Sequence, residues 1–89
     1  MPEKQATVGN ELGLHARAAA IFVRLSTQFE CEIFVSCREI EVDGKSIMGV
    51  MMLAASPGSV LGIRAEGNDA QNAVDQLAAL VENHFGEGN

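Results

Sequence analysis

The stretch VLGIRAEGNDAQNAVDQLAALV, residues 60–81, changes its hydrophobic period halfway along. Apolar and polar side chains alternate over residues 60–66, and this period of two predicts a half-buried β-strand. Gly67, Asn68 and Asp69 then predict a break and a helix cap. Beyond them, apolar residues recur at helical spacing, at Ala70, Ala73, Val74, Leu77, Leu80 and Val81. The stretch therefore predicts a strand and a long helix that each bury one face.

The segments before residue 60 repeat these two patterns. Alternating runs predict strands over 5–8, 31–37 and 40–42. An Ala-rich run predicts a helix over 16–27, and a short apolar run predicts another over 47–53. The predicted order is β-α-β-β-α-β-α. Interleaved strands and helices in so short a chain favour an α+β fold with one sheet and the helices on one of its faces.

The 89 residues carry 6 basic and 12 acidic side chains, a formal net charge of −6. This length predicts one domain over 1–89, and the acidic balance argues against nucleic acid as a partner, because such binding relies on neutralising phosphates. The sequence has no apolar signal region and no run long enough to cross a bilayer, so it predicts a cytoplasmic protein without membrane insertion. Residues 86–89 are expected to fray.

Cys31 and Cys37 lie on the same side of the predicted strand over 31–37. At ~3.3 Å per residue they are about 20 Å apart, whereas a disulfide needs Cα atoms within about 7 Å. Two reduced structural thiols are predicted. No metal or cofactor is predicted either, since the acidic residues of the next strand alternate as a solvated face does; they are Glu39, Glu41 and Asp43.

His15 is the first candidate for chemistry, because it lies where a loop meets the start of a predicted helix. A helix N-terminus offers free N–H groups and a partial positive charge, and both bind phosphate. Arg17 could neutralise phosphoryl oxygens. This combination is what a phosphorylated histidine requires, and the alternative is an ordinary surface histidine at a helix start.

Ser46 is the second candidate and is predicted to cap a short helix. The preceding Gly44-Lys45 is not part of a P-loop, because that motif needs glycine where this chain has Glu39. The apolar residues after Ser46 cannot all be buried on a short helix, and methionine suits surfaces that meet several partners. His84 has no second ligand near it in sequence and is predicted to be structural.

Three stretches resemble HPr, the histidine-containing phosphocarrier family of the bacterial phosphotransferase system. The family's active-site signature is similar to residues 13–19, GLHARAA, and its regulatory-serine segment is similar to residues 45–51, KSIMGVM. The boundary before its last helix resembles residues 65–69, AEGND. The resemblance covers essentially the whole chain.

This resemblance implies an open-faced β-sandwich, a four-stranded antiparallel sheet with three helices on one side. It implies a carrier, not an enzyme, that accepts a phosphoryl group on Nδ1 of His15 from phosphorylated enzyme I, and passes it to a sugar-specific enzyme IIA. Arg17 would contact the phosphate, and Ser46 would be the target of the ATP-dependent HPr kinase/phosphorylase. A monomer is expected. The implied partner surface consists of Ala16, Ala20, Arg24, Ile47, Met48 and Met51.

One position departs from the family pattern, because Ala18 stands where these proteins usually carry proline. Alanine keeps the helix and restores one N–H group. Two further interpretations stay open at this point. The chain could be a carrier in a nitrogen-related or purely regulatory phosphorelay, or a ferredoxin-like domain that senses a small molecule; an acylphosphatase-like enzyme fits less well, since no Gly-rich phosphate loop carries an arginine.

Overall fold

The computed structural model describes residues 1–87. Its elements are β1 (Glu3–Thr7), α1 (Ala16–Ser26), β2 (Glu32–Cys37), β3 (Ile40–Asp43), α2 (Ile47–Met52), β4 (Val60–Glu66) and α3 (Ala70–Glu82). A 3₁₀ turn, His84–Gly86, follows α3. The predicted order of strands and helices is confirmed.

The four strands form one antiparallel sheet in the order β1-β4-β2-β3. Val35 of β2 lies opposite Ile63 of β4 and Val42 of β3. Because side chains alternate along a strand, these residues form a row on one face. On that side α3 packs on β1 and β4, while α1 packs against α2 and α3. The expected open-faced β-sandwich is confirmed.

The core lies between this sheet face and the helices. Leu61, Ile63 and Ala65 of β4 are fully buried, as their alternation predicted. Phe22 of α1 meets them from the helical side, and Phe29 closes the core just beyond α1. Both cysteines are buried and free, and burial raises the pKa of the Cys31 thiol to about 11, with a hydrogen bond to Asp69 adding to the effect. Within residues 1–87 no helix has the length and apolar character needed to cross a membrane.

The other face of the sheet is open and is organised by Arg64. Its guanidinium lies 4.2 Å from the centre of the Phe34 ring and donates to both carboxylate oxygens of Glu41 at 2.8 Å. This bond with Arg64 holds the pKa of Glu41 below its ordinary value. The acidic residues of β3 are exposed, and among residues 1–87 no cluster of potential ligands could hold a metal ion.

The alternation was misleading at the sheet edge. Ile40 alternates with Glu39 and Glu41 of the predicted solvated face, which predicts a buried side chain, but it is 51% exposed. β3 is a four-residue edge strand whose neighbour in the sheet is β2. Val42 is half-buried under α2, whereas Ile40 lies where no helix covers the sheet.

Asp69 does not cap α3 in the predicted way. It occupies the N-cap position, but its side chain makes no capping hydrogen bond. Its carboxylate instead accepts hydrogen bonds from the backbone N–H groups of Glu30 and Cys31, at 2.9 and 3.0 Å. These bonds tie the loop after α1 to the loop after β4. The hydrogen bond from the Glu30 N–H, the largest of these effects, holds the pKa of Asp69 below its ordinary value.

We expect Asp69→Asn to lower the thermal midpoint at neutral pH. Asparagine keeps one acceptor oxygen, but its side-chain NH₂ group, which is a donor, then faces one of the two backbone N–H donors. Because the native pKa of Asp69 is lowered, its stabilisation is present above the unfolded value of about 3.9 and is lost as pH falls through the lower native value. The difference between the wild type and Asp69→Asn should therefore shrink in acid, and thermal melts across pH measure it. A difference that is constant with pH, as expected for the exposed control Glu39→Gln, would contradict this role.

The sequence predicts fraying from residue 86 onward, but Gly86 belongs to the 3₁₀ turn and Glu87 contacts His15. α3 ends at Glu82, and His84 and Phe85 both adopt left-handed backbone angles with φ of 55°. A left-handed residue other than glycine is strained, and the apolar contacts of the Phe85 ring, which is 1% exposed, offset part of that strain. Phe85 thus holds the segment against the core. Residues 88 and 89, the rest of the predicted frayed tail, lie outside the described residues.

Candidate functional site

The loop between β1 and α1 sets the position of His15. Gly13 has a φ of +66°, and a Cβ there would lie 2.7 Å from the carbonyl oxygen of Ala55. Leu14 is buried, and its N–H donates to the same carbonyl at 2.9 Å. Glycine is needed at residue 13 because the loop turns in the left-handed region while touching the segment before β4. The loop therefore delivers His15 to the first turn of α1 in a defined place.

His15 is the N-cap residue of α1, as the sequence predicted. Its backbone is extended, its carbonyl accepts the first helical hydrogen bond from the Ala19 N–H at 2.8 Å, and its side chain makes no capping bond. No acidic residue lies in the first turn of α1. The N–H groups at the start of the helix thus face outward with no side-chain acceptor at the cap, and an anion can bind there.

Arg17 and Ala18 are the next residues of this turn. The Arg17 side chain is exposed, so its guanidinium can reach a phosphoryl group attached to the neighbouring ring. Ala18 is fully buried at the third helical position. Its methyl group fills the core position, and its N–H adds to the uncapped donors that a proline would reduce by one.

Two residues of this site escaped the sequence analysis. The Nε2 atom of His15 lies 3.0 and 2.9 Å from the two carboxylate oxygens of Glu87, which belongs to the segment predicted to fray. Fully buried Asn10 donates from its side-chain amide to the carbonyl of Gly13 and to Glu87. The sequence feature that could have pointed to Asn10 is its position between Gly9 and Gly13 in the loop before His15. Glu87, 72 residues from His15, gave no local signal.

Ser46 caps α2 as predicted, because its Oγ accepts a hydrogen bond from the N–H of Gly49 at 3.0 Å. The preceding Lys45 donates from Nζ to the carbonyl of Phe29 at 2.7 Å, so this turn is tied to the end of α1. Ser46 is half-buried. Its role as a modification site stays a prediction.

An apolar surface spans the outer sides of α1 and α2, which pack against each other. Of the predicted partner residues, five are exposed and Ala20 is half-buried; the exposed ones are Ala16, Arg24, Ile47, Met48 and Met51. Met48 is more exposed, at 77%, than Ile47 or Met51. Two further apolar residues are exposed: Met52 on α2, which belongs to the apolar run predicted to stay partly exposed, and Leu12 in the loop before His15, which was not predicted. We call these eight residues the helical surface.

The remaining candidates lie apart from His15 or serve the fold. His84 is in the 3₁₀ turn and not in the last turn of α3, and its ring packs so closely on Gly9 that a Cβ there would lie 2.8 Å from Nε2. A groove of about 530 Å³ runs along β2 and β3 between Glu30 and Lys45. None of the predicted site residues lines this groove.

Comparisons with known proteins agree with this geometry. Residues 2–83 match the family described as the PTS HPr component phosphorylation site. The chain is 48% identical over 88 residues to the phosphocarrier protein HPr of Cupriavidus necator, with 99% of both chains covered. It is 45% identical to the HPr-like protein Crh of Halalkalibacterium halodurans, covering 92% of this chain and 98% of that protein.

The fold is likewise similar to a solved HPr structure. The crystal structure of HPr-C-His from Thermoanaerobacter tengcongensis superposes with a TM-score of 0.92 at 42% identity, and 98% of each chain is covered. Sequence, fold and a histidine at the start of α1 agree, and the chain belongs to the HPr family of phosphocarriers of the phosphotransferase system.

Proposed function

We propose that this chain accepts a phosphoryl group on His15 from phosphorylated enzyme I and passes it to a sugar-specific enzyme IIA. The observation that carries the proposal is the position of His15 as an N-cap whose side chain leaves the helix N–H groups uncapped. The nucleophilic ring, the N–H donors and the cation of Arg17 then all belong to the start of the same helix. A carrier needs no more than this, because the partner proteins supply the transfer machinery.

The direct test is a two-step transfer assay. The chain is incubated with phosphoenolpyruvate and enzyme I, and intact-mass spectrometry should detect an adduct of about 80 Da, one phosphoryl group. Adding an enzyme IIA should remove the adduct. A chain that gains no mass under conditions where a relative such as the Cupriavidus necator HPr is fully labelled would refute the proposal.

Arg17 is proposed to hold phosphoryl oxygens with its forked guanidinium. Lysine keeps the charge without the fork, so Arg17→Lys should slow transfer less than Arg17→Glu, which adds repulsion. Loss of one charge-assisted hydrogen bond of about 1.5 kcal/mol gives a tenfold slower transfer for Arg17→Glu. The transfer rates are measured by stopping the labelling reaction with enzyme I at successive times and quantifying the phosphorylated protein.

The control for charge is Arg38→Glu on the exposed β2–β3 turn, which should transfer at the wild-type rate. Because Arg17 is exposed, thermal midpoints should be unaltered in both Arg17 variants. Wild-type transfer by Arg17→Glu would remove Arg17 from the site.

The helical surface is proposed to dock enzyme I and enzyme IIA in turn, and Ser46 at its edge is proposed as the target of an ATP-dependent kinase. Exposed apolar residues on two rigid helices suit partners of different shape, since methionine side chains adapt to each. The expected monomeric state and cytoplasmic location stay predictions. Family membership favours this interpretation over the small-molecule sensor and the acylphosphatase-like enzyme.

A second candidate within the family is a carrier in a nitrogen-related or regulatory phosphorelay. The regulatory relay is favoured by the similarity to Crh, whose solved Bacillus subtilis structure is described as a catabolite repression protein. The presence of His15 with Arg17 favours a carrier that repeatedly accepts a phosphoryl group and passes it on. Transfer rates to enzyme IIA proteins of sugar systems and of nitrogen-related systems, measured side by side, distinguish the two.

A further inference from the structure

Glu87 meets the one ring nitrogen of His15 that the proposed transfer does not use. Both carboxylate oxygens lie within 3.0 Å of Nε2, and the Glu87 side chain is only 14% exposed while that of His15 is 25% exposed. Within residues 1–87 the Nδ1 atom of His15 has no hydrogen-bond partner. The ring is therefore held at one nitrogen and open at the other.

Glu87 is held from two sides. Asn10 is fully buried, and its amide nitrogen donates to the carbonyl of Gly13 at 2.7 Å and to the carboxylate of Glu87 at 3.0 Å. Two residues before Glu87, the buried ring of Phe85 fixes the end of the chain against the core. One side chain thus links the loop that carries His15 to the segment that carries Glu87.

The chemistry of a carboxylate decides which way the bond to His15 runs. An ionised carboxylate can only accept hydrogen bonds, so the ring must donate from Nε2, and in the neutral ring this leaves the lone pair on Nδ1. The hydrogen bond with His15 is the first cause that lowers the pKa of Glu87, with the bond from Asn10 and the positive charge of Arg17 as further causes. Glu87 is consequently ionised at neutral pH.

We propose that Glu87, anchored by Asn10, is a positioning residue that keeps the His15 proton on Nε2 and thereby makes Nδ1 the phosphoryl acceptor. This inference rests on the proposed function for its role in transfer. The tautomer itself is a property of the unphosphorylated protein.

The transfer step then needs no proton to leave the ring. The Nδ1 lone pair forms the N–P bond while the bond from phosphorus to the donor breaks, and the electron pair of that bond returns to the donor. The ring keeps its Nε2 proton and becomes a positively charged phosphoimidazolium. Glu87 faces that charge at Nε2, and Arg17 faces the phosphoryl oxygens at Nδ1. On transfer to the next acceptor, the N–P electrons return to Nδ1.

The test is nitrogen-15 NMR of the His15 ring at mildly alkaline pH, without any phosphorylation. In the wild type the proton is expected on Nε2 and visible as a slowly exchanging signal. In Glu87→Ala that signal should be lost, and the Nδ1 resonance should move toward the average of two tautomers. The matched control Glu39→Ala removes the same charge from the distant β2–β3 turn and should leave both resonances unchanged.

The same variants are then labelled by enzyme I. Glu87→Ala should accept the phosphoryl group about tenfold more slowly, as expected for the loss of one hydrogen bond to a charged group, while Glu39→Ala keeps the wild-type rate. A wild-type proton on Nδ1, or ring resonances that do not change in Glu87→Ala, would overturn the proposal, and the first of these needs no variant to fold. An altered tautomer in a protein that accepts no phosphoryl group from enzyme I would refute the proposed function and leave the positioning role of Glu87 standing.

Discussion

Replacing His15 with alanine is expected to abolish phosphoryl acceptance from enzyme I completely. The nucleophile is removed, and among the ring nitrogens of the chain only those of His84 remain. His84, in the three-residue 3₁₀ turn, packs against Gly9 and does not lie at the start of an α-helix. Because His15 is partly exposed and its side chain makes no capping bond that alanine would remove, the variant should stay folded.

Intact-mass spectrometry after incubation with phosphoenolpyruvate and enzyme I measures the result. The adduct of about 80 Da should appear in the wild type and in His84→Gln, and should be absent in His15→Ala. The wild-type adduct should also be lost in acid, which separates phosphohistidine from phosphoserine. Acid-labile label that persists in His15→Ala would mean that the acceptor lies elsewhere.

Ser46→Asp is expected to reduce phosphoryl uptake from enzyme I by at least about tenfold, a loss of about 1.4 kcal/mol. The new charge lies beside Ile47, Met48 and Met51 on the helical surface. Bringing an unpaired charge against the apolar or acidic surface of a partner costs several kcal/mol. Phosphorylation of Ser46, with a charge of about −1.5 to −2, should weaken uptake further.

The fold should tolerate this change. Aspartate is a good N-cap residue and keeps an acceptor for the Gly49 N–H, and its charge is favourable at the start of α2. The thermal midpoint of Ser46→Asp should equal or slightly exceed that of the wild type. Titration with enzyme I measures affinity, and Gln5→Glu on the open sheet face is the control with the same added charge. If both variants bind and transfer like the wild type, Ser46 is only a helix cap.

Local patterns were sufficient for most of the fold and for half of the site. The change of period across residues 60–81 predicted β4 and α3, because burial on one face imposes a period of two on a strand and of 3.6 on a helix. His15 and Ser46 were found as cap residues because a cap depends on side chains within three positions of it. In these cases the physical cause lies within a few residues of its effect.

The sheet edge and the loop connections needed the tertiary structure. Ile40 alternates as a buried residue does, but whether a helix covers it depends on where the chain places α2. Asp69 has the residue type of a helix cap, yet its carboxylate accepts hydrogen bonds from Glu30 and Cys31. Which backbone N–H groups bind the Asp69 carboxylate depends on which loops lie next to each other, and a local sequence pattern does not contain that information.

The sequence by itself determined the class of the fold and the family, and it singled out His15 as the candidate nucleophile, because each depends on periodicity or on a short motif. Only the tertiary structure decided that Glu87, from a segment with every local sign of fraying, lies against His15. Its place follows from the burial of Phe85 and from the side chain of Asn10, which bridges the two ends of the chain. A carboxylate within hydrogen-bonding distance orients an imidazole whatever their separation in sequence, since the interaction depends on distance in space and not on distance along the chain.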